Sequence, residues 1–186
     1  MIKEWQWSIS VNNDESAFQS LYLHLAPSLI RFANSFLKQH KALSEDIVAE
    51  IFAGLWERRQ TLMSIEHLRV YLFTCVRNAA LNHLEKMERT SFYSFDELEV
   101  VLSPLIADHD PEKNLFAGET MQAIQEAMDA LPAKCRLIFR MAKEEGLRYK
   151  EIAAILNISV RTIDSQIAIA LRKIHETLAS RSKKYS

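Results

Sequence analysis

Residues 148–178, RYKEIAAILNISVRTIDSQIAIALRKIHETL, constrain the fold more than any other stretch of this chain. Ile152, Ala153 and Leu156 put an apolar stripe along a first short helix. Asn157 follows the last periodic residue, where a helix end often takes a left-handed conformation. Ile158 then reads as a buried turn residue. Ser159 is placed to cap a second helix by accepting one of its free backbone N–H groups. Ile163, Ile167, Ala170, Leu171 and Ile174 recur at helical spacing and form the inward face of that helix. Arg161, Thr162, Asp164, Ser165, Gln166 and Ala168 fall on its early outward positions, with Arg172 farther along. This is the pattern of a helix-turn-helix, whose second helix can lie in a DNA major groove. An ordinary helical hairpin meets the same periodicity, so the rest of the chain has to decide.

Only 3 glycines and 4 prolines occur in 186 residues, and β-branched runs are few. Helix is therefore favoured almost throughout, and the length allows one domain or two small ones. The expected fold is all-α: two small helical domains joined by an acidic linker, the second containing the helix-turn-helix. A formal net charge of −1 excludes a general nucleic-acid coat, which would be strongly basic. The charge is unevenly placed. Residues 160–186 hold six Lys/Arg against two Asp/Glu, whereas residues 91–112 hold six acids and no Lys or Arg. Such asymmetry suits one DNA-facing end and another segment that meets a basic partner. Cys75 and Cys135 sit in apolar stripes, form no C-x-x-C pair and read as small buried hydrophobes. The histidines lack metal-ligand spacing, so no metal or cofactor is expected. The start MIKEWQWSIS lacks the apolar centre of a signal peptide, and no run is long enough for a membrane span. A cytoplasmic protein without membrane insertion is expected.

The first domain is expected over residues 1–90, and its helical block runs from about Asp14 to Arg89; Asn13 or Asp14 can cap the first helix, which carries Phe18, Leu21, Tyr22 and Leu25. Pro27 permits a new first turn toward Leu29, Phe32, Ala33 and Phe36. Ser44 is placed to cap the next helix, with acids in its first turn. A long helix then starts near Ile65. Between 91 and 112 aromatics, acids and two prolines follow no lasting period, which marks a linker. The second block, 113–186, holds four helices. One ends at Leu131-Pro132 and another at Gly146, a residue suited to a helix C-terminus.

Two helices in the first block carry faces beyond their core stripes. In SEDIVAEIFAGLWERR the stripe is Ile47, Val48, Ile51, Phe52, Leu55 and Trp56. The opposite face interleaves Asp46, Glu50 and Glu57 with Ala49, Ala53 and Gly54. Small residues let another backbone approach while the acids attract a basic partner; a plain solvated face has the same composition. Glycine in an exposed helix costs about 1 kcal/mol relative to alanine, which favours a packed partner there. In IEHLRVYLFTCVRNAALNHLEKMER the expected core is Leu68, Leu72, Cys75, Val76, Ala79 and Leu84. Arg69, Phe73, Arg77 and Asn78 fall on other faces, where cations and a flat ring suit single-stranded nucleic acid. Tyr71 and Phe73 fit equally well as core aromatics.

The order EDIVAEIFAGLWERR, YLFTCVRNAALNHL, acidic linker, ALPAKCRLIF and EGLRYKEIAAILNISVRTI resembles the extracytoplasmic-function (ECF) subgroup of bacterial RNA polymerase sigma factors. The resemblance covers nearly the whole chain. It implies that Asp46, Glu50 and Glu57 meet the β′ clamp of core RNA polymerase, which the family contacts together with the β subunit. It also implies that the loop from Arg59 to Ile65 takes up a flipped base of the minus-10 element of promoter DNA. Arg59, Arg69, Phe73, Arg77 and Asn78 would then handle the separated strands. Arg161, Thr162, Asp164, Ser165, Gln166, Ala168 and Arg172 would read the minus-35 element as duplex. An anti-sigma factor is a further partner that the resemblance implies. Asp164, Gln166 and Glu85 stand where such relatives frequently carry a basic residue.

Two rival classes are weighed against this reading. A helix-turn-helix regulator that is not a polymerase subunit would normally have a βαβ receiver or ligand sensor as its first half, and no strand alternation occurs here. An α-helical enzyme would need a paired-carboxylate motif, a nucleophile elbow or a phosphate loop; none is present, so no catalytic residue is expected.

Overall fold

Every regular element in the computed structural model, which describes residues 1–37, 40–88 and 119–182, is a helix. The chain divides into two units, Met1–Tyr93 and Ser94–Ser186. The expected linker 91–112 lies outside the described residues.

The first unit comprises α1 (Ile2–Asn12), α2 (Glu15–Leu37), α3 (Lys41–Glu57), a 3-10 helix (Arg59–Ser64) that packs chiefly against α1, and α4 (Leu68–Glu88). The central α2 packs against α1, α3 and α4. Leu21, Leu25, Leu29, Phe32, Ala33 and Phe36 line its buried side at helical spacing. The Phe32 ring makes edge-to-face contacts with Phe36 at 5.1 Å and Phe73 at 5.0 Å. Helix α1 precedes the block expected from sequence. Its amphipathic pattern is faint because Gln6 is buried beside Ile9. It ends at Asn13 in the left-handed region, φ 51°. Asp14 then caps α2: its Oδ1 accepts the Ala17 N–H at 3.0 Å, and its Oδ2 accepts the Ser8 hydroxyl at 2.7 Å.

Three boundaries differ from the sequence expectation. Pro27 starts no new helix but sits inside α2, on an exposed face. The carbonyl four residues back that it leaves without a donor belongs to exposed Leu23, where water can serve it. The stripe from Leu21 to Leu37 continues unbroken past it. Ser44 caps nothing. Helix α3 begins at Lys41, and Ser44 is fully buried one turn in, on the stripe of Ile47 and Val48. No acid therefore lies in the first turn of α3. Helix α4 starts at Leu68 rather than Ile65, because Ile65 closes the 3-10 helix in an extended conformation and residues 66–67 form a turn.

The second unit contains α5 (Glu119–Asp129), α6 (Ala133–Lys143), α7 (Tyr149–Leu156) and α8 (Val160–Ser182). Leu131, Cys135, Ile138, Met141, Ile152, Ile155, Leu156, Ile163, Ile167 and Ala170 form its core. Arg136 is almost fully buried, and its Nη1 donates to the carbonyl of Asp129, the last residue of α5, at 2.9 Å. A cation at a helix C-terminus meets the favourable end of the dipole. The Asp129 carboxylate also lies 3.8 Å from both Arg136 and Arg140. Gly146, at φ +64°, closes α6, and the Leu147 N–H reaches back to the Met141 carbonyl at 3.1 Å.

No single helix among the described residues is long and apolar enough to cross a membrane, and none of their His, Cys, Asp and Glu side chains group to hold a metal ion. Helices α7 and α8 meet at a bend of 110°. That angle is normal for a helix-turn-helix.

Candidate nucleic-acid interface

The turn between α7 and α8 is built from short-range chemistry. Asn157 adopts φ 55° and ψ 48°, and the Ile158 N–H bonds the Ala153 carbonyl at 3.0 Å. The Ser159 hydroxyl accepts the Thr162 N–H at 3.0 Å, as its N-cap position requires. Ile158 itself is half-buried. At the other end of α7 the Glu151 carboxylate accepts the Arg148 N–H at 2.7 Å.

Along α8 the inward stripe is Ile163, Ile167 and Ala170, with Ile174 half-buried. Leu171, expected on that stripe, is 49% exposed, because Ala170 takes the inward place and Leu171 falls just past it. Arg161, Asp164, Ser165, Ala168 and Arg172 are exposed at spacings of three and four, and so share one face. Leu171 adds an apolar group to it that sequence reasoning missed. The wheel position, three residues after Ala168, was the available signal. Two of the expected reading residues have other engagements. The Thr162 hydroxyl lies 2.8 Å from that of Ser159, within the cap. Gln166 is half-buried, and its Oε1 accepts the Cys135 thiol hydrogen at 2.7 Å. A glutamine held this way cannot turn both amide atoms to an adenine edge without releasing Cys135. Arg172 is exposed and 4.0 Å from Glu176, a pairing worth about 0–1 kcal/mol.

In the first unit the stripe of α3 buries Ile47, Val48, Phe52 and Leu55, while Ile51 and Trp56 are only half-buried. Asp46, Ala49, Glu50, Ala53 and Glu57 are exposed. A Cβ added at Gly54 would meet the Arg58 Nη2 at 3.7 Å, an ordinary contact, so packing among the described residues does not require glycine there. Beside this face a cleft of about 460 Å³ opens between α3, the 3-10 helix and α4, with Glu50, Gly54, Arg58, Thr61 and Tyr71 on its walls. A hydrogen bond with the Cys75 side chain, and then burial, pushes the Tyr71 hydroxyl above its ordinary pKa. Cys75, expected in the core, is half-buried and lines this cleft.

The face of α4 is turned from its expected register. Leu68, Leu72, Phe73, Val76 and Ala80 are buried, whereas Cys75, Ala79 and Leu84 are half-buried. Phe73 is 1% exposed and locked against Phe32, which withdraws it from the DNA-facing set. Its aromatic ring suited a core or a base equally; the partner ring on α2 decides. Asn78 is exposed, and Arg69 and Arg77 are half-buried. The Arg77 Nε has no hydrogen-bond partner among the described residues, and burial lowers the pKa of its guanidinium. Arg59 serves as a strut. Its Nε donates to the Asn13 Oδ1 at 2.7 Å, its Nη1 to the Trp56 carbonyl at 3.0 Å, and its guanidinium lies 4.6 Å from the Trp56 ring centre. Those contacts leave it little to offer a phosphate.

A helix-turn-helix with an exposed polar face, and a separate helical unit with an acid-and-small face, define a bipartite transcription factor. Comparison with known proteins makes the class specific. The family Sigma-70 region 2 matches residues 21–90, and Sigma-70, region 4 matches residues 121–174. The chain is 26% identical to the ECF RNA polymerase sigma-E factor of Salmonella typhimurium, over 83% of this chain and 82% of that protein. It is 23% identical to the ECF RNA polymerase sigma factor RpoE of Cereibacter sphaeroides, over 92% of each chain. The RNA polymerase sigma factor NccH of Alcaligenes xylosoxydans xylosoxydans is likewise 23% identical, over 92% of this chain and 91% of that one. The fold is shared with the sigma factor RpoE of Bartonella quintana, solved with the anti-sigma factor NepR: TM-score 0.58, 23% identity, covering 87% of this chain and 96% of that one. The chain belongs to the ECF subgroup of RNA polymerase sigma factors. Members of this family are initiation factors rather than enzymes.

Proposed function

We propose that this sigma factor docks on the β′ clamp of core RNA polymerase through Asp46, Glu50 and Glu57 of α3, and that its two units read the two promoter elements. Exposed acids between Ala49, Ala53 and Gly54 supply charge and a close backbone approach together. In the first unit Arg69, Arg77 and Asn78, with the exposed side chains of the 3-10 helix, engage the opened minus-10 strand. In the second, Arg161, Asp164, Ser165, Ala168, Leu171 and Arg172 face the minus-35 duplex, where phosphate contacts fix register and base-edge contacts carry sequence. Thr162 and Gln166 contribute through the geometry of α8. The chain supplies no catalytic group, works in the cytoplasm, and is a target for an anti-sigma factor that covers the same faces.

The observation that carries this reading is the exposed acid face of α3. Reversing charge with Asp46→Lys and Glu50→Lys is expected to weaken binding to core polymerase by about tenfold or more at low salt. The deficit should shrink as salt rises, because exposed charges are screened. Circular dichroism should show unchanged helicity, since both residues lie off the stripe. Wild-type affinity in the double variant would remove α3 from the interface.

A further inference from the structure

We infer that α1 is the positioning element of the minus-10 reading segment: Gln6, with Ser10 and Asn13, sets the path of the 3-10 helix and thereby its discrimination among promoter bases. This inference rests on the promoter-reading function proposed above. Helix α1 lies outside the segment that matches Sigma-70 region 2, which begins at residue 21.

The side chain of Gln6 is 1% exposed, and its Nε2 donates to two carbonyls far along the chain, Leu62 at 3.0 Å and Ile65 at 2.9 Å. One turn on, the Ser10 hydroxyl donates to the Arg59 carbonyl at 2.8 Å. At the end of α1, Asn13 accepts from the Arg59 Nε at 2.7 Å. These four bonds grip both ends of the 3-10 helix, Arg59 at the start and Leu62 with Ile65 at the close. The hydrogen-bond geometry of a 3-10 helix is poor, and this one, at 6 residues, is longer than such helices usually run, so it has little stability of its own. Leu62 is buried beneath it, and Gln60, Thr61, Met63 and Ser64 are exposed above. The outward side chains thus stand on a backbone held from below by α1.

The choice of glutamine is itself informative. An amide offers two N–H donors, and here both are used on carbonyls. Its Oε1 is buried with no hydrogen-bond partner among the described residues. That lone acceptor opposes folding, but an apolar side chain of the same length would take the Gln6 donor from the Ile65 carbonyl and one of two donors from the Leu62 carbonyl, so the residue is held there for its N–H groups. The two donors fix where the segment runs, and with it where its outward side chains stand.

The test compares Gln6→Met, which keeps length and removes both donors, with Ile9→Ala, which weakens the core contact of the same helix and touches no carbonyl of the segment. Each full-length protein is assembled with core polymerase and offered fork-junction DNA whose non-template strand is randomised across the minus-10 region. The bound fraction is then sequenced. Gln6→Met is expected to flatten the wild-type base preference by about five- to tenfold, the scale of one or two hydrogen bonds, with affinity for core polymerase unchanged. Ile9→Ala is expected to lower the melting temperature and keep the preference wherever the protein is folded. Wild-type preference in Gln6→Met, or equal flattening by Ile9→Ala, would overturn the positioning role. A wild-type holoenzyme with no preference at any randomised position would instead contradict the promoter reading, and the inference would fall with it.

Discussion

The turn of the helix-turn-helix and the 3-10 segment of the first unit are both short, non-α connections beside proposed DNA-facing surfaces, yet they are held in different ways. Asn157, Ile158 and Ser159 are fixed by partners no more than five residues away: the Ala153 carbonyl on one side and the Thr162 N–H on the other. The 3-10 helix is fixed by Gln6, Ser10 and Asn13, between 46 and 59 residues distant. A locally wired connection keeps its shape wherever its two helices form. A remotely wired one depends on the whole unit being assembled.

The largest effect expected from this contrast is in the remote region. Phe73→Ala should destabilise the first unit by about 3–5 kcal/mol, the scale for a large buried aromatic lost from a core. Urea denaturation should show an early unfolding step; a variant that keeps wild-type stability but loses minus-10 binding would return Phe73 to the DNA-facing set. Next in size is the exposed face of α8. Ser165→Ala should cost about 1–3 kcal/mol against particular minus-35 base pairs, whereas Arg172→Ala should weaken binding to all sequences and reduce its salt dependence. Footprinting on point-mutated promoters separates the two patterns. A uniform loss from both substitutions would mean that the reading face is misplaced.

Smaller effects sharpen the local side. Asn157→Val places a β-branched residue in the left-handed region and should cost about 1–2 kcal/mol, while Asn157→Gly should be neutral or mildly stabilising. Thermal melts of the pair check this; equal stabilities would show that the turn tolerates any residue. The smallest effect is acid-dependent and sits where α1 meets α2. Bonds from the Ser8 hydroxyl and then the Ala17 N–H hold the Asp14 carboxyl below its ordinary pKa. A depressed folded value means that the stabilisation is fully present above the unfolded value near about 3.9, and is lost as pH falls through the folded one. Asp14→Asn should therefore flatten the acid limb of the stability curve without altering it at neutral pH beyond a constant offset. Parallel acid limbs in the two proteins would show that Asp14 carries no such linkage.

What was legible in the sequence follows the same division. Asn157, Ser159 and Gly146 announce their roles because the required chemistry, a left-handed residue or a hydroxyl acceptor, acts within a few residues of itself. The all-helical class and the family likewise follow from ordered local motifs. The places of Pro27, Ser44 and Phe73 are not legible in the sequence because each depends on its surroundings: the exposed side of α2 at Leu23, the buried stripe of α3, and the Phe32 ring. Helix α1 escaped notice because its buried face includes a glutamine whose value lies in carbonyls more than fifty residues away. Gln166 looked like a base-reading residue for the same reason; only the fold brings Cys135 to its amide.

The central claim is that this chain gives core RNA polymerase a promoter preference. Its most direct test is in vitro transcription by core polymerase on a random promoter library, with and without the full-length protein, followed by sequencing of transcript starts. The account expects starts to collect downstream of two spaced sequence elements only when the protein is present. Starts that are unchanged by its addition, at concentrations saturating for a sigma factor, would contradict it.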